Sequence, residues 1–401
     1  MTTDTSAYVF DGLKVIDVAS WIAGPVAATI LADYGADVIK VEMPGVGDGY
    51  RALAAAPGMP VSQLNYTWMM DARNKRSLTL NLKDPRGKAI LERLIAECDV
   101  YITNQPMPMR RKLGITYADL SALNPRMIYA SLTAYGEHGP ERDREGFDLV
   151  AYWARTGLMD LVRTGDVEPA QSLPGMGDHP TAVALYAAIV TALLHRQKTG
   201  RGSEVHTSLL ANGLWAASCV AQAKLVGADF SGWRNTARIA VTRPVYRAAD
   251  GRWLQFTMVR TPDEIGALFR VLGLAHVVAD PRFATPESRM EHGLELVQMM
   301  RDAIRSRTAA TWMTLFKDAG VPGALMGTLD DLLEDPQLIA NEMTRADRSA
   351  VSVINHPVNV SGARRAAIAD APALGQHTHE ILAGLGYSDS DVALLRSDGV
   401  V

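Results

Sequence analysis

The stretch "LKVIDVASWIAGPVAATILADYGADVIKVE" (residues 13–42) determines the fold class. It begins with a short apolar run typical of a buried strand, continues as an apolar helix between Gly24 and Gly35, and ends in a second apolar run at 36–42. A strand, a helix and a strand in this order predict two parallel strands joined by a crossover. The first turn, "ASWIAGP", lacks G-x-G-x-x-G, which argues against a dinucleotide-binding loop.

The same alternation continues along the chain and then changes. Strands are predicted up to Asn104, at "MIYASLT" and at "SEVHTSL", with helices between them. The expectation is a doubly wound, Rossmann-like α/β domain with a parallel sheet. Further on, "VYRAADGRWLQFTM" indicates a hairpin turning at Asp250-Gly251, followed by helical patterns typical of a smaller α+β domain. The predicted division is a large domain at 1–225, a linker at 226–243, a small domain at 244–325, and a return linker with the last part of the large domain at 326–401.

The composition excludes several classes of protein. The 401 residues are 48% hydrophobic and 21% charged with a net charge of −4, so no global field attracts nucleic acid or an anionic membrane. Two cysteines, Cys98 and Cys219, suit a reducing compartment and form no metal or disulfide framework. Neither a secretory signal nor an uninterrupted apolar run of membrane length is present. We therefore expect a cytoplasmic protein without a metal or a tightly bound cofactor.

Two basic segments are candidates for phosphate binding. "RNKRS" begins at Arg73 next to a predicted strand, and "MRRKLG" follows the strand that ends at Asn104. Loops at the carboxyl ends of parallel strands bind ligands in α/β proteins. Phosphates would then be held by basic side chains of these segments, Lys75, Arg76, Arg110, Arg111 and Lys112. The alternative is a solvated basic face.

One acidic residue, Asp178, stands in the glycine-rich turn "LPGMGDHP" before a long apolar helix pattern. Asp is a preferred N-cap residue and Pro is favoured in the first helical turn, so capping alone would explain it. His179 is not expected to act with Asp178, because sequence neighbours rarely form a hydrogen-bonded catalytic pair. The "HTH" at 377–379 resembles a metal pair but suits a helix start better.

These pieces, in this order, resemble the class III CoA-transferase family, which includes formyl-CoA and carnitine CoA-transferases. The matching stretches run from "GLKVIDVASWIAGPVAATILADYGADVIKVEMPGVGD" through "NKRSLTLNLKDPRGKAILERLIAECDV", "NPRMIYASLTAYGEHGP", "GFDLVAY" and "GMGDHPTAVALYAAIVTALLHRQKTGRG" to the tail "LGQHTHEILAGLGYSDSDVALLRSDGVV". The resemblance implies an acyl-CoA donor, a carboxylic acid acceptor and a homodimer with interlocked chains. It implies that Asp178 is the nucleophile.

The implied chemistry gives the position of Asp178 a physical reason. The carboxylate would attack the acyl-CoA carbonyl to form an anhydride, and the CoA thiolate would return to give an aspartyl-CoA thioester. An ordinary Asp has a pKa of about 3.9 and is already ionised at neutral pH. A helix N-terminus favours the anion, and Gly175 and Gly177 leave room for N–H groups to meet an oxyanion. Capping and catalysis are therefore compatible.

The resemblance also implies a CoA site, with departures from the family pattern. Lys112 replaces a frequent arginine, Met43 stands where formyl-CoA transferases have an arginine, and Thr133 where they have a lysine. The tetraglycine loop of those enzymes is missing before "VYRAADGRW", which disfavours formate–oxalate exchange. The candidate CoA-binding residues are Trp21, Ile22, Ala23, Arg73, Asn74, Lys75, Asn104, Gln105, Lys112 and Thr133.

Two alternatives remain. Racemases for 2-methylacyl-CoA thioesters share the fold and use a His in the segment "GFDLVAY", where this chain has Phe147, which cannot take a proton. A non-catalytic CoA-binding protein is the other alternative. In the transferase hypothesis the small domain closes over the thioester and supplies the acid pocket, whose residues lie outside any matching motif.

Overall fold

The computed structural model of the protein describes residues 7–165, 167–233, 238–257, 259, 261–346 and 351–401. Within them the chain forms two compact units, the first from Met1–Arg163, Glu168–Gln222 and Ala340–Val401, the second from Thr164–Val167 and Ala223–Ile339. The second unit begins before the predicted bound of 244 and extends past 325. Residues 234–237 of the predicted linker and 347–350 of the predicted return segment lie outside the described residues.

The first unit contains a six-stranded sheet in which every neighbouring pair is parallel. Its strands are β1 Lys14–Asp17, β2 Asp37–Glu42, β3 Arg76–Thr79, β4 Val100–Thr103, β5 Ile128–Thr133 and β6 Ser203–Ser208. Their order is β3-β2-β1-β4-β5-β6. The chain reverses its direction of travel across the sheet between β1 and β4, and such a switch point opens a crevice at the carboxyl ends of the strands. The predicted doubly wound α/β fold is confirmed.

Eighteen α-helices are found in the described ranges, and none of the described helices has the length and apolarity needed to cross a membrane. In chain order they are α1 Ala23–Asp33, α2 Tyr66–Asp71, α3 Pro85–Glu97, α4 Met107–Leu113, α5 Tyr117–Ser121, α6 Leu158–Val162, α7 Asp178–Thr199, α8 Leu209–Ala216, α9 Ser218–Leu225, α10 Pro262–Val271, α11 Ala275–Ala279, α12 Pro286–Glu291, α13 Gly293–Ile304, α14 Ala309–Asp318, α15 Leu329–Glu334, α16 Pro336–Ala340, α17 Thr378–Gly384 and α18 Asp389–Ser397.

Helices cover both faces of the sheet because successive strand residues point to opposite sides. Val15 and Ile128 belong to the core that also contains the apolar residues of α1 and α7. Ile16 and Tyr129 belong to a second core with α3, α17 and α18. Burial on both faces explains the apolar runs of β1, β2, β4 and β5, whereas β6 is partly exposed and mixes polar with apolar residues.

The second unit has its own antiparallel sheet and its own core. Strands β7 Val245–Arg247, β8 Trp253–Phe256 and β9 Gly323–Leu325 pair in that order. The predicted hairpin at Asp250-Gly251 is present, and Gly251 takes a φ of +83°, which favours glycine. The helices around this sheet bury a core that includes Trp312 and Phe316. In the first unit, β10 Thr344–Ala346 and β11 Ser352–Ile354 form a separate antiparallel pair.

Candidate active site

The switch point of the sheet holds a cavity of about 280 Å³. Its walls come from segments far apart in sequence, because the carboxyl ends of parallel strands meet at one edge. Seven of the predicted site residues lie in these walls, Trp21, Ile22, Ala23, Asn104, Gln105, Thr133 and Asp178. The structure therefore brings the candidate nucleophile together with the loops after β1, β4 and β5.

The loop after β1 is held in an unusual conformation. Trp21 has a φ of 66°, in the left-handed region that side chains other than glycine's rarely adopt. Its N–H donates to Asp48 Oδ1 at 3.0 Å, and the other oxygen of Asp48 lies 2.8 Å from Lys40 Nζ. Asn104 accepts the Ser20 N–H at 2.8 Å and donates to the Ser20 carbonyl at 2.6 Å. Asn104 thus fixes the loop that carries Trp21.

The side chain of Gln105 is a polar group in this wall that is not used inside the described part of the protein. It lines the cavity, and no hydrogen bond to its side-chain amide is found among the described residues. The backbone of Gln105, by contrast, is used internally, since its carbonyl accepts from Arg110 Nε at 2.7 Å. An amide fixed by its backbone and free at its tip is suited to hydrogen-bond a ligand.

Asp178 is the first residue of α7 and does not cap it. Gly177 occupies the N-cap position and no side-chain cap hydrogen bond is formed there, so the interpretation of Asp178 as an N-cap residue is wrong. The physical reason is that Gly177 already has nearly helical backbone angles, φ −98° and ψ −30°. The Asp178 carboxylate lines the cavity instead, and within the described ranges no group donates a hydrogen bond to it.

The two glycines before Asp178 have different roles from those expected. The Gly177 N–H donates to Asp148 Oδ2 at 3.1 Å and is therefore not free to meet an oxyanion. A Cβ at Gly177 would lie 2.7 Å from Tyr152 Cγ, and one at Gly175 would lie 2.8 Å from the His179 ring. Glycine is needed at both positions because the turn packs closely against these two rings.

His179 is held by two acceptors. Its Nδ1 lies 2.9 Å from the Gly175 carbonyl and its Nε2 lies 3.3 Å from Asp71 Oδ1. A carbonyl and a carboxylate only accept, so this arrangement favours a proton on each ring nitrogen, that is, the imidazolium form. Burial alone would lower the pKa of His179, but Asp71 raises it above its ordinary value through a hydrogen bond and its charge. Tyr50 donates to the other oxygen of Asp71.

The environment changes the acidity of Asp178. Burial, followed by the negative charge of Asp148, raises the pKa of Asp178 to about 7, and Asp71 adds to this while the positive His179 opposes it. The expectation of an Asp with a pKa near its ordinary value is therefore wrong. The helix N-terminus favours the anion, but desolvation and two neighbouring carboxylates outweigh it. Near neutral pH the protonated and ionised forms coexist.

Arg73, Asn74 and Lys75 are not brought to the cavity. They precede β3 and so lie at the amino end of a strand, whereas the phosphate-binding hypothesis needed a carboxyl end. Arg73 and Asn74 bind Asp33 at 2.7 and 2.8 Å, and Lys75 Nζ lies 2.9 Å from Asp17 Oδ2. Burial lowers the pKa of Lys75, although Asp17 opposes this. The charges of this segment are used inside the protein.

The other predicted cations differ in their availability. Arg110 is buried against Glu137 at 2.8 Å, and Arg76 pairs with Asp37 at 2.6 Å, so neither is free to hold a phosphate. Lys112 is exposed on α4 but does not line the cavity. Arg111 lies 4.0 Å from Asp143.

Two arginines that the sequence analysis did not single out do line the cavity. Arg142 and Arg144 stand in its wall beside Phe147, in the exposed segment "ERDREGF". This segment mixes both signs of charge, and nothing in such a pattern distinguishes it from an ordinary solvated turn. Only its position between the stretches "NPRMIYASLTAYGEHGP" and "GFDLVAY", which resemble the family, could have indicated that it lies near the site.

A neighbouring cavity of about 240 Å³ continues the crevice. It shares Ser20 and Gln105 with the first, and Met43 and Lys83 lie in its wall. Met43, the departure from the arginine of formyl-CoA transferases, therefore stands beside a lysine that follows β3 at its carboxyl end. In the part of the chain that the structure describes, no group of three or more His, Cys, Asp or Glu is placed to hold a metal ion.

Fold and site together define an α/β enzyme with an unpartnered carboxylate at the switch point of its sheet. Residues 10–378 match the CoA-transferase family III, and the chain belongs to that family. It is 30% identical over 398 residues to the (R)-2-hydroxy-4-methylpentanoate CoA-transferase of Clostridioides difficile, covering 98% of this chain and 99% of that one. It is also 30% identical to the succinyl-CoA:glutarate CoA-transferase of Mus musculus, covering 98% and 90%.

Among solved structures, the chain resembles a CaiB/BaiF family protein from Brucella suis. The TM-score is 0.83 at 28% identity, over 94% of this chain and 100% of that one. The relatives are CoA-transferases with acyl-CoA and carboxylic acid substrates, and this protein is a CoA-transferase. The resemblance proposed from the sequence is confirmed.

Proposed function

We propose that the protein transfers CoA from an acyl-CoA thioester to a free carboxylic acid through covalent intermediates on Asp178. The observation that carries this proposal is the Asp178 carboxylate, which faces the cavity without a hydrogen-bond partner among the described residues. Structural carboxylates elsewhere in the first unit, such as Asp33 and Asp48, are bound by cations or N–H groups. A free, half-buried carboxylate with a raised pKa is typical of a functional site.

The reaction proceeds by four displacements at carbonyl carbon. An oxygen of ionised Asp178 attacks the thioester, the CoA thiolate leaves, and an acyl–aspartyl anhydride forms. The thiolate attacks the aspartyl carbonyl, which gives aspartyl-CoA and releases the first acid. The incoming carboxylate attacks this thioester and expels the thiolate, forming the second anhydride. The thiolate then attacks the new acyl carbonyl, which releases the new acyl-CoA and restores Asp178.

The CoA thioester would lie along the crevice formed by the two neighbouring cavities. The proposed contacts are Trp21, Ile22, Ala23, Asn104, Gln105 and Thr133, with Gln105 placed to hydrogen-bond an amide of the CoA arm. Arg142, Arg144 and Lys83 supply the positive charge that CoA phosphates need. Arg73, Asn74 and Lys75 are left out of this proposal because they bind internal carboxylates.

Chemical trapping tests the covalent role. Incubation with an acyl-CoA donor and no acceptor, followed by hydroxylamine, should convert Asp178 into a hydroxamate, and borohydride should reduce an aspartyl thioester at the same residue. Mass mapping of the peptide "SLPGMGDHPTAVALY" locates either change. A direct transfer between donor and acceptor would leave this peptide unlabelled while turnover continues, and that outcome would remove the covalent role of Asp178.

The racemase alternative is not supported by the geometry. Phe147 lines the cavity and packs edge-on against Trp21 with ring centroids 5.3 Å apart, and it has no group that accepts a proton. Both ring nitrogens of His179 already contact acceptors, the Gly175 carbonyl and Asp71, which leaves neither nitrogen placed to take a proton from a carbon acid. We expect no exchange of the α-proton of a 2-methylacyl-CoA in deuterated water.

We also propose that the protein is a homodimer, with the interlocked chains that the family resemblance implies. Large apolar side chains stand exposed on α7 and α8, namely Leu194, Leu214 and Trp215. Exposed apolar surface of this kind is typical of association surfaces. Size-exclusion chromatography with light scattering over serial dilution should show a dimer, and a monomer at high dilution would contradict the interlocked arrangement.

A further inference from the structure

A separate, apolar cavity of about 370 Å³ lies next to the candidate nucleophile in the first compact unit. Ile22 lines both this cavity and the one that contains Asp178. His179, which follows Asp178 directly, lines the apolar cavity as well. Tyr50 also stands in its wall, and burial, then Asp71 and then Asp178 raise the pKa of the Tyr50 hydroxyl. The apolar cavity therefore shares a wall residue with the cavity of Asp178 and is lined by the residue that follows Asp178.

The walls of this cavity are hydrocarbon and thioether. Its apolar lining includes Leu53, Met59, Leu64, Met69, Met70 and Ile354. Its polar side chains are chiefly hydroxyls, those of Ser62, Tyr66 and Thr67 among them. No lysine or arginine is among the described residues that line it, and the charge of His179 is matched by Asp71.

The two cavities thus differ in charge. The cavity with Asp178 has Arg142 and Arg144 in its wall, which suits the phosphates of CoA. Among the described residues that line it, the apolar cavity offers a carboxylate no cation except His179, which already pairs with Asp71, and burial of an unpaired carboxylate is strongly unfavourable. Three methionines give it a wall that adapts to chain shape. Its volume is near the lower end of the range for small-molecule pockets.

We propose that the apolar cavity binds the hydrocarbon chain of an aliphatic monocarboxylic acid, first as the acyl group of the donor and then as the acceptor. This inference rests on the proposed function, because it needs the acyl carbonyl to lie at Asp178. The relative named for (R)-2-hydroxy-4-methylpentanoate and the relative named for succinyl-CoA and glutarate are both 30% identical to this chain, so similarity does not choose between a branched chain and a dicarboxylate. This proposal places the acid pocket in the first unit, whereas the sequence predicted that the small domain supplies it.

Competition between matched acids is the first test. With pentanoyl-CoA as donor, the wild-type enzyme is offered 4-methylpentanoate and glutarate at equal concentration, and both product thioesters are quantified. The ratio of the two kcat/KM values should favour 4-methylpentanoate at least about tenfold, because only glutarate would bring a second carboxylate into the apolar cavity. A preference for glutarate would overturn the inference.

A charge introduced into the cavity tests its location. Leu64 is half exposed in a loop at the cavity wall, so Leu64→Arg adds a cation there without removing a core side chain. The variant should lower the preference for 4-methylpentanoate over glutarate at least about tenfold. The matched control Leu123→Arg, on a similarly exposed leucine outside this cavity, should leave the ratio within about twofold of wild type.

The outcomes separate the two proposals. Transfer that depends on Asp178 but shows an unchanged ratio in Leu64→Arg would overturn the inference and leave the proposed function standing. Absence of transfer to either acid and to a panel of short acids would reject the proposed function, and the inference with it. Circular dichroism of both arginine variants excludes a folding defect as the cause of a changed ratio.

Discussion

Two groups of polar side chains in the first unit differ in what they contact. One group lies in the loops after β1, β4 and β5, and the other lies in the segment before β3. The first group leaves Trp21 and Gln105 in the wall of the cavity that Asp178 also lines. In the second, Arg73 and Lys75 are buried and each is neutralised by a carboxylate, Asp33 and Asp17. The difference lies in what the side chains meet: Arg73 and Lys75 reach buried carboxylates inside the protein, whereas the side chain of Gln105 reaches a cavity.

The comparison shows that a basic sequence segment is not by itself a binding site. Lys75 and Asp17 are fully buried, together with Lys40, which pairs with Asp48 and so helps to hold the Trp21 backbone. A buried ion pair of this kind gives little net stability compared with an apolar pair, but losing one partner leaves an uncompensated charge. We expect changes before β3 to affect stability, and changes at the carboxyl edge to affect catalysis.

The largest expected effect is that of Asp178→Asn. The amide cannot form the anhydride, so CoA transfer should fall at least about 1,000-fold. Stability should not fall. Because its pKa is raised in the folded protein, the stabilising contribution of this carboxyl is complete below its unfolded pKa and is lost as the pH rises from there through about 7. An amide at this position should therefore be at least as stable as wild type at pH 8, by urea denaturation.

The matched control for that variant is Asp389→Asn. Like Asp178, Asp389 is the first residue of a helix and lies near a histidine, with its carboxylate 2.9 Å from His379 Nε2. Unlike Asp178, it is exposed and does not line the cavity. Transfer should stay within about twofold of wild type. If Asp178→Asn keeps a tenth of wild-type turnover, the nucleophilic role is wrong.

The second largest expected effect is that of Lys75→Met, which should lower the stability of the protein. Removing the ammonium leaves Asp17 buried without its closest cation, which should lower the free energy of unfolding by about 3–5 kcal/mol. Lys112→Met, on exposed α4, should change it by less than about 0.5 kcal/mol. Equal denaturation midpoints for the two variants would remove the distinction between the two regions.

The pH dependence sharpens the description of the carboxyl edge. The nucleophile is the ionised form, so kcat/KM should rise with pH and level off above an apparent pKa of about 7. At pH 6 the value should be roughly a tenth of the plateau. Asp148→Asn removes a negative charge that raises the pKa of Asp178, so the inflection should move to lower pH. A flat profile between pH 5.5 and 8 would contradict the raised pKa.

The smallest expected effect is that of Lys112 on substrate binding. Lys112→Met should change the KM for acyl-CoA by less than about twofold, since Lys112 lies outside both cavity walls. Arg142→Met, in the cavity wall, should raise this KM by roughly 3- to 10-fold through loss of a charge-assisted contact. Steady-state kinetics at fixed ionic strength distinguish the two. The reverse ranking would make α4 the phosphate site.

Parts of the candidate site were predictable because a local pattern carries them. Trp21, Gln105 and Thr133 follow apolar runs recognisable as strands, and parallel strands bring such positions to one edge. The role of His179 was not predictable, since its partner Asp71 lies 108 residues away. The same holds for Arg142 and Arg144, whose mixed-charge segment resembles an ordinary turn.

The sequence by itself determined the doubly wound fold, the family and the position of Asp178 at the start of α7, because apolar periodicity and strand–helix alternation are local properties. Only the tertiary structure decided that Gly177 occupies the N-cap position, that Lys75 pairs with Asp17 inside the protein, and that the pKa of Asp178 is raised to about 7. These outcomes depend on burial and on charges brought together from distant segments. Electrostatic energy depends on distance and desolvation in space, which the order of residues along a chain does not contain.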